Sequence, residues 1–132
     1  MTQKSKKNTG CRLSFSSKQG KVRIYKGVLS ALGEPRFIQF LINPEKKMLI
    51  LCGSNTRLSE CIEVPSKEYQ ARNGFVLNGH SFIRRIFSIM RWVPLGTYLV
   101  DGIYDKDLSC VVFALEQNTL IERDDDDDDD DD

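Results

Sequence analysis

Gly20-Lys21-Val22-Arg23-Ile24-Tyr25-Lys26-Gly27-Val28-Leu29-Ser30-Ala31-Leu32-Gly33 is the stretch on which the fold turns. Lys21 to Tyr25 alternates polar and apolar residues, which puts Val22 and Ile24 on one face of a strand. From about Gly27 the spacing changes. Val28, Leu29 and Leu32 fall at i, i+1 and i+4, one side of a short helix that Gly33 is placed to end. Upstream, Leu13 and Phe15 alternate with Arg12, Ser14 and Ser16 in a strand starting at Cys11, and Ser17-Lys18-Gln19-Gly20 turns the chain. Downstream, residues 37–42 form an apolar strand, Asn43-Pro44-Glu45-Lys46 has the composition of a turn, and residues 48–52 return as the hairpin partner.

The order then recurs. Residues 53–73 are polar, with one short strand around Cys61-Ile62-Glu63-Val64 and a turn signal at Arg72-Asn73-Gly74. Phe75-Val76-Leu77 reads as a strand, and Asn78-Gly79 leads into a helix that Ser81 is suited to cap. In that helix Phe82, Ile83, Ile86, Phe87 and Met90 make one apolar stripe. His80, the only histidine, reads as a turn residue before the cap. Val93-Pro94-Leu95-Gly96 ends the helix and residues 98–104 form a strand. Asp105-Lys106-Asp107 turns it, and residues 110–115 come back as its partner.

Strand, helix, long strand, turn, strand therefore covers residues 21–52 and again residues 75–115. Identity between the halves is negligible. Two readings stand: an internal duplication, or an ordinary α+β domain whose hairpins are alike by chance. Neither half is long enough to bury a core alone, so a duplication requires the halves to pack together. The expected fold class is α+β, a small, mostly antiparallel, β-barrel-like domain of two β-α-β-β units. The expected layout is a flexible basic arm (1–10), one globular domain (11–118) and a disordered acidic tail (119–132). Within the domain, a connector (54–74) joins a first unit (11–53) to a second (75–118).

The quoted stretch resembles the core signature of AbrB-type, swapped-hairpin DNA-binding proteins, in which a strand of the form V-x-I-P-K leads into a short helix ending in L-G, followed by a hairpin. The resemblance covers residues 13–52. It departs from the pattern at Tyr25, where the family usually has proline, and at Pro35, where a charged turn is usual. Those proteins are short homodimers whose hairpins interleave into one barrel. The resemblance thus implies either a homodimer or, if the second half is a degenerate copy, a monomeric pseudo-dimer. It also implies sequence-directed DNA binding in the cytoplasm, with Arg23 and Lys26 at the family's basic positions.

Charge points the same way independently. The 132 residues hold 19 Lys+Arg and 19 Asp+Glu, a formal zero, but residues 124–132 are all aspartate. Without those nine the body keeps ten acidic groups against nineteen basic ones, about +9. No acidic residue occurs in residues 1–33, where Lys4, Lys6, Lys7, Arg12, Lys18, Lys21, Arg23 and Lys26 lie. Such a run can neutralise phosphates, a term that falls steeply with salt, and an arginine fork can also read a guanine edge. A second basic group, Arg84, Arg85 and Arg91, lies opposite the apolar stripe of the second helix. For both groups the alternative is a solvated surface with no partner.

Other chemistry is sparse. No P-loop, G-x-G-x-x-G, G-x-S-x-G or paired-histidine motif is present, so no catalytic residues, metal site or cofactor are expected. A zinc site would need Cys52, Cys61, His80 and Cys110 to converge over long range. The four cysteines lack C-x-x-C spacing and read as free thiols of a reducing cytoplasm. No apolar run approaches the ~20 residues that span a bilayer. Trp92 reads as a core or rim residue, with base stacking as the alternative.

The expectation is a non-enzymatic, cytoplasmic regulator that binds double-stranded DNA with the arm and first hairpin. The alternative is a phage- or mobile-element-type inhibitor whose acidic tail imitates nucleic acid and occupies a host nucleic-acid-binding protein. The tail itself admits three readings: competition in cis for the basic surface, mimicry in trans, or a translated repeat or added tag without a role.

Overall fold

The computed structural model describes residues 11–57, 59–66, 74–94 and 96–121. The elements, in chain order, are β1 (Arg12–Ser16), β2 (Lys21–Ile24), α1 (Lys26–Ala31), β3 (Phe37–Asn43), β4 (Met48–Ser54), β5 (Ile62–Glu63), β6 (Phe75–Asn78), α2 (His80–Met90), β7 (Thr97–Asp105) and β8 (Cys110–Ile121). The eight strands form one antiparallel sheet, curled into a half-barrel, in the order β5-β3-β4-β8-β7-β1-β2-β6. Short turns explain the hairpins β1–β2, β3–β4 and β7–β8. The pairs β4·β8, β1·β7 and β2·β6 join the first half of the chain to the second.

Strand alternation sends one set of side chains inward. Leu13, Phe15, Val22, Ile24, Leu49, Leu51, Val100, Val111 and Phe113 are buried on that side. Helix α1 adds Val28 and Leu29, and α2 adds Ile83, Ile86 and Phe87. Phe82 of α2 lies 5.0 Å from Phe40 of β3, ring to ring. Helix α2 therefore reaches from the β2–β6 end of the sheet across to β3 and fills the concave side. Trp92 stacks on Tyr98 at 4.2 Å with planes 3° apart, and Phe87 meets both rings edge-on. The Tyr98 hydroxyl donates to Val93 O, so the indole is held by the core.

Three features of the fold differ from what the sequence predicts. Helix α2 begins at His80, with Gly79 rather than Ser81 at its cap and no side chain capping it. The reason is tertiary: Gly79 N–H donates to Gly20 O at 2.9 Å, which fixes the chain before a serine cap could form. Strand β8 continues to Ile121, past the expected boundary at residue 118, because its second half pairs with the start of β7. The cysteines are not all free. Cys52 and Cys110 face each other across β4·β8 with Cα atoms 4.7 Å apart and form a disulfide, while Cys11 and Cys61 are free. Long-range register made that pair, and no sequence spacing could have announced it. The turn expected at Arg72-Asn73-Gly74 lies outside the described residues except for Gly74, and the basic arm 1–10 lies wholly outside them.

Candidate nucleic-acid interface

The outward positions of the strands carry the charge. On β1 and β2 the inward Leu13, Phe15, Val22 and Ile24 leave Arg12, Lys21 and Arg23 to face out. Cross-strand register sets them in rows. One row runs Val76, Arg23, Ser14, Leu99, and the next Asn78, Lys21, Ser16, Thr97. Lys18 stands exposed in the tight turn beside Lys21, closed by Gly20 N–H to Ser17 O and Gln19 N–H to Ser16 Oγ.

That turn touches the second basic group. Besides the Gly79–Gly20 hydrogen bond, the imidazole of His80 fills the space where a side chain on residue 20 would start, and Gly20 has φ +63°. Glycine is required there twice over, for conformation and for room. The contact seats the start of α2 against the Lys18–Lys21 turn. Arg84 and Arg85 follow on the exposed side of the helix. His80 is thus a packing residue at the junction of the two basic groups.

The structure joins the elements that carry Lys18, Lys21 and Arg23 to the start of the helix that carries Arg84 and Arg85, the first group on the turn and the outward face of the sheet and the second on the exposed side of α2, and it sets three others apart. Arg91 caps the far end of α2, about 16 Å along the helix axis at 1.5 Å per residue. Lys26 begins α1, beyond the opposite end of β2 from Lys18. Arg12 is engaged: its Nε donates to Asp101 Oδ1 at 2.8 Å, and its guanidinium lies 5.9 Å from the Tyr25 ring. That hydrogen bond raises the Arg12 pKa above its ordinary value, against a smaller desolvation effect.

Segregation of charge is the main finding. Elements β1, β2, α1, β6 and α2, with the β1–β2 turn, hold no Asp or Glu. All the described acidic side chains but one lie on or beside β3, β4, β5, β7 or β8, where Arg36, Lys46, Lys47, Arg57 and Lys106 are interspersed; the exception, Glu34, follows α1 and accepts from Ser30 Oγ of that helix. Because β1, β2 and β6 are neighbours at one end of the sheet, two acid-free stretches far apart in sequence become one acid-free end. The outward face at β3-β4-β8-β7 is different, with Leu41, Ile50, Val112 and Ile103 in one apolar row. Along the sequence the basic hairpin and the basic helix are separate. The signal that joins them was present: residues 69–100 also lack any acid.

Among the described residues no group of three or more His, Cys, Asp or Glu is placed to hold a metal ion, and no helix is long and apolar enough to cross a membrane. Comparison with known proteins finds no matching family model, no similar curated protein and no similar solved structure.

Proposed function

We propose that this chain is a non-enzymatic regulator that binds double-stranded DNA through its acid-free end. The observation that carries the reading is the segregation of charge, with five exposed or half-exposed cations (Lys18, Lys21, Arg23, Arg84 and Arg85) on joined elements that hold no carboxylate. Phosphates favour such a surface because each neutralised contact releases counterions. Arg23, Arg84 and Arg85 supply forks for base edges or paired phosphate contacts.

The AbrB-like stretch supports the same reading, and so does the strand order. Exchange β1 with β5, β2 with β6, β3 with β7 and β4 with β8. Six of the seven strand pairings then map onto one another or onto themselves, and only β1·β2 lacks a counterpart. A duplicated β-α-β-β unit packed about a pseudo-twofold axis would have that order, one chain supplying both halves of a barrel that the family builds from two.

The test is a salt series of binding to a short DNA duplex by the chain truncated after Arg123. Binding is expected at low salt, with log Kd rising by about 0.9 per log unit of salt for each phosphate engaged. The double variant Lys21→Glu/Arg23→Glu is expected to weaken binding and flatten the slope. Lys46→Glu, in the β3–β4 turn, is expected to change little. Absence of salt-dependent binding at low ionic strength would end this reading.

A further inference from the structure

We infer that the acid-free end is also the docking surface for the chain's own aspartate run, residues 124–132, which seats at the Lys18–Lys21 turn. Its regulatory consequence, competition with DNA, rests on the function proposed above. The docking itself does not.

Where β8 ends is the first argument. Up to Phe113 it runs between β4 and the second half of β7, with Phe113 opposite Gly102. Then the register jumps: Asn118 stands opposite Val100, and β8 continues along the first half of β7 to Ile121. Without that continuation the chain would leave the sheet near Lys47, whose backbone carbonyl accepts from Leu115 N–H. With it, Ile121 lies opposite Thr97, Thr97 opposite Ser16, and Ser16 opposite Lys21. The chain therefore leaves the sheet in the cross-strand row that contains Lys21, with no acidic side chain between.

Distance is the second argument. Three strand spacings separate Ile121 from Lys21, about 14 Å at ~4.8 Å each. Extended chain covers about 3.4 Å per residue, so Asp124 reaches about 10 Å from Ile121 and the later aspartates reach Lys21, Lys18 and then Arg84 on α2. No part of the acid-free end is out of range.

Charge is the third. Nine consecutive carboxylates meet a surface without acids. Two lysines elsewhere have acidic neighbours: Lys47 pairs with Glu116, and Lys106 sits between Asp105 and Asp107. A tethered segment has an effective concentration in the millimolar range, so even weak individual contacts hold it until salt screens them. Arg12, already held by Asp101, is not part of the seat.

Carbodiimide cross-linking of the full chain tests this, since the reagent joins a carboxyl directly to a lysine amine that touches it. Mapping by mass spectrometry is expected to find links from residues 124–132 to Lys18 and Lys21 at low salt. These should disappear at about 1 M salt, where the screening length is about 3 Å. Mixing isotopically labelled and unlabelled chains is expected to show the links within one chain. Links between chains, links spread evenly over all lysines, links confined to other lysines, or no tail links would each overturn the docking. Adding duplex DNA should abolish the links, and deleting residues 124–132 should tighten DNA binding roughly tenfold or more at low salt. Links that persist while DNA is bound, or unchanged affinity on deletion, would overturn the competition. If the truncated chain binds no DNA while the links form, the proposed function fails and the docking stands.

Discussion

Asp101 is the carboxylate that reaches β1, where it acts on two residues, Arg12 and the preceding Cys11. The Arg12–Asp101 pair is exposed, at 41% for the arginine and 67% for the aspartate side chain, so its contribution to stability is small. Its expected effect on the proposed DNA binding is larger, because a guanidinium held by a carboxylate does not release counterions from a phosphate. Asp101→Asn should leave the thermal midpoint almost unchanged, steepen the salt dependence of DNA binding by up to about 0.9 in log–log slope, and tighten binding at low salt. An unchanged slope would mean that Arg12 faces away from the bound duplex. Cys11 answers to the same carboxylate differently. Burial first, and then the negative charge of Asp101, push its thiol pKa up, so it stays protonated at neutral pH. The folded chain then holds that proton more tightly than the unfolded chain. This stabilisation is present below the ordinary thiol pKa and is lost as the pH rises through and beyond it. Iodoacetamide at neutral pH should therefore modify half-buried Cys61 well before Cys11, as peptide mass mapping would record. Equal rates would show that the Cys11 site opens faster than its burial implies.

At the scale of elements, helix α2 shows what sequence could and could not convey. Its stripe was legible because period 3.6 spacing is local, and Ile83, Ile86 and Phe87 are buried as that spacing requires. Its start was not, because the Gly79–Gly20 hydrogen bond belongs to a strand turn more than fifty residues earlier. The same division runs through the sheet. Hairpins β3–β4 and β7–β8 could be read from their turns, whereas β4·β8, β1·β7 and β2·β6 are set by packing between halves. The second half of β8 was missed because Glu116, Gln117, Asn118 and Thr119 show no apolar alternation. Only the neighbouring first half of β7 makes it a strand. The site divided likewise: each basic cluster was visible, but their union at the Gly20–His80 contact was not. If α2 holds the concave side closed, truncating its most buried residue should be costly. Ile86→Ala is expected to lower unfolding free energy by about 2–5 kcal/mol, measured by urea denaturation. Arg85→Ala, on the exposed side, should stay within about 0.5 kcal/mol of the parent while weakening DNA binding. A stability loss at Arg85 as large as that at Ile86 would mean that the helix buries a different face.

For the whole molecule β4·β8 is one of the three strand pairs that join the halves, and this seam is fastened twice. Five register pairs from Met48↔Ala114 to Cys52↔Cys110 join it, and Leu49, Leu51, Val111 and Phe113 are buried at or next to it. The Cys52–Cys110 disulfide then ties residues 58 apart in sequence. Closing a loop of that length removes unfolded-state entropy worth about 4 kcal/mol in the chain-entropy description, with about 2–4 kcal/mol usual in practice. The ladder and the core remain when the bond is cut, so the disulfide adds to a seam that already exists. Reduction, or Cys52→Ser with Cys110→Ser, should therefore lower the thermal midpoint without unfolding the chain at 25 °C. The reduced protein should keep its far-ultraviolet circular dichroism spectrum. DNA binding should hold as well, since the acid-free end at β1-β2-β6 lies on the far side of β7 from the bond. Thermal melts with and without a phosphine reductant decide the matter. A midpoint indifferent to reductant would assign the seam's strength to packing alone, and loss of DNA binding on reduction would show that the two ends of the sheet are coupled.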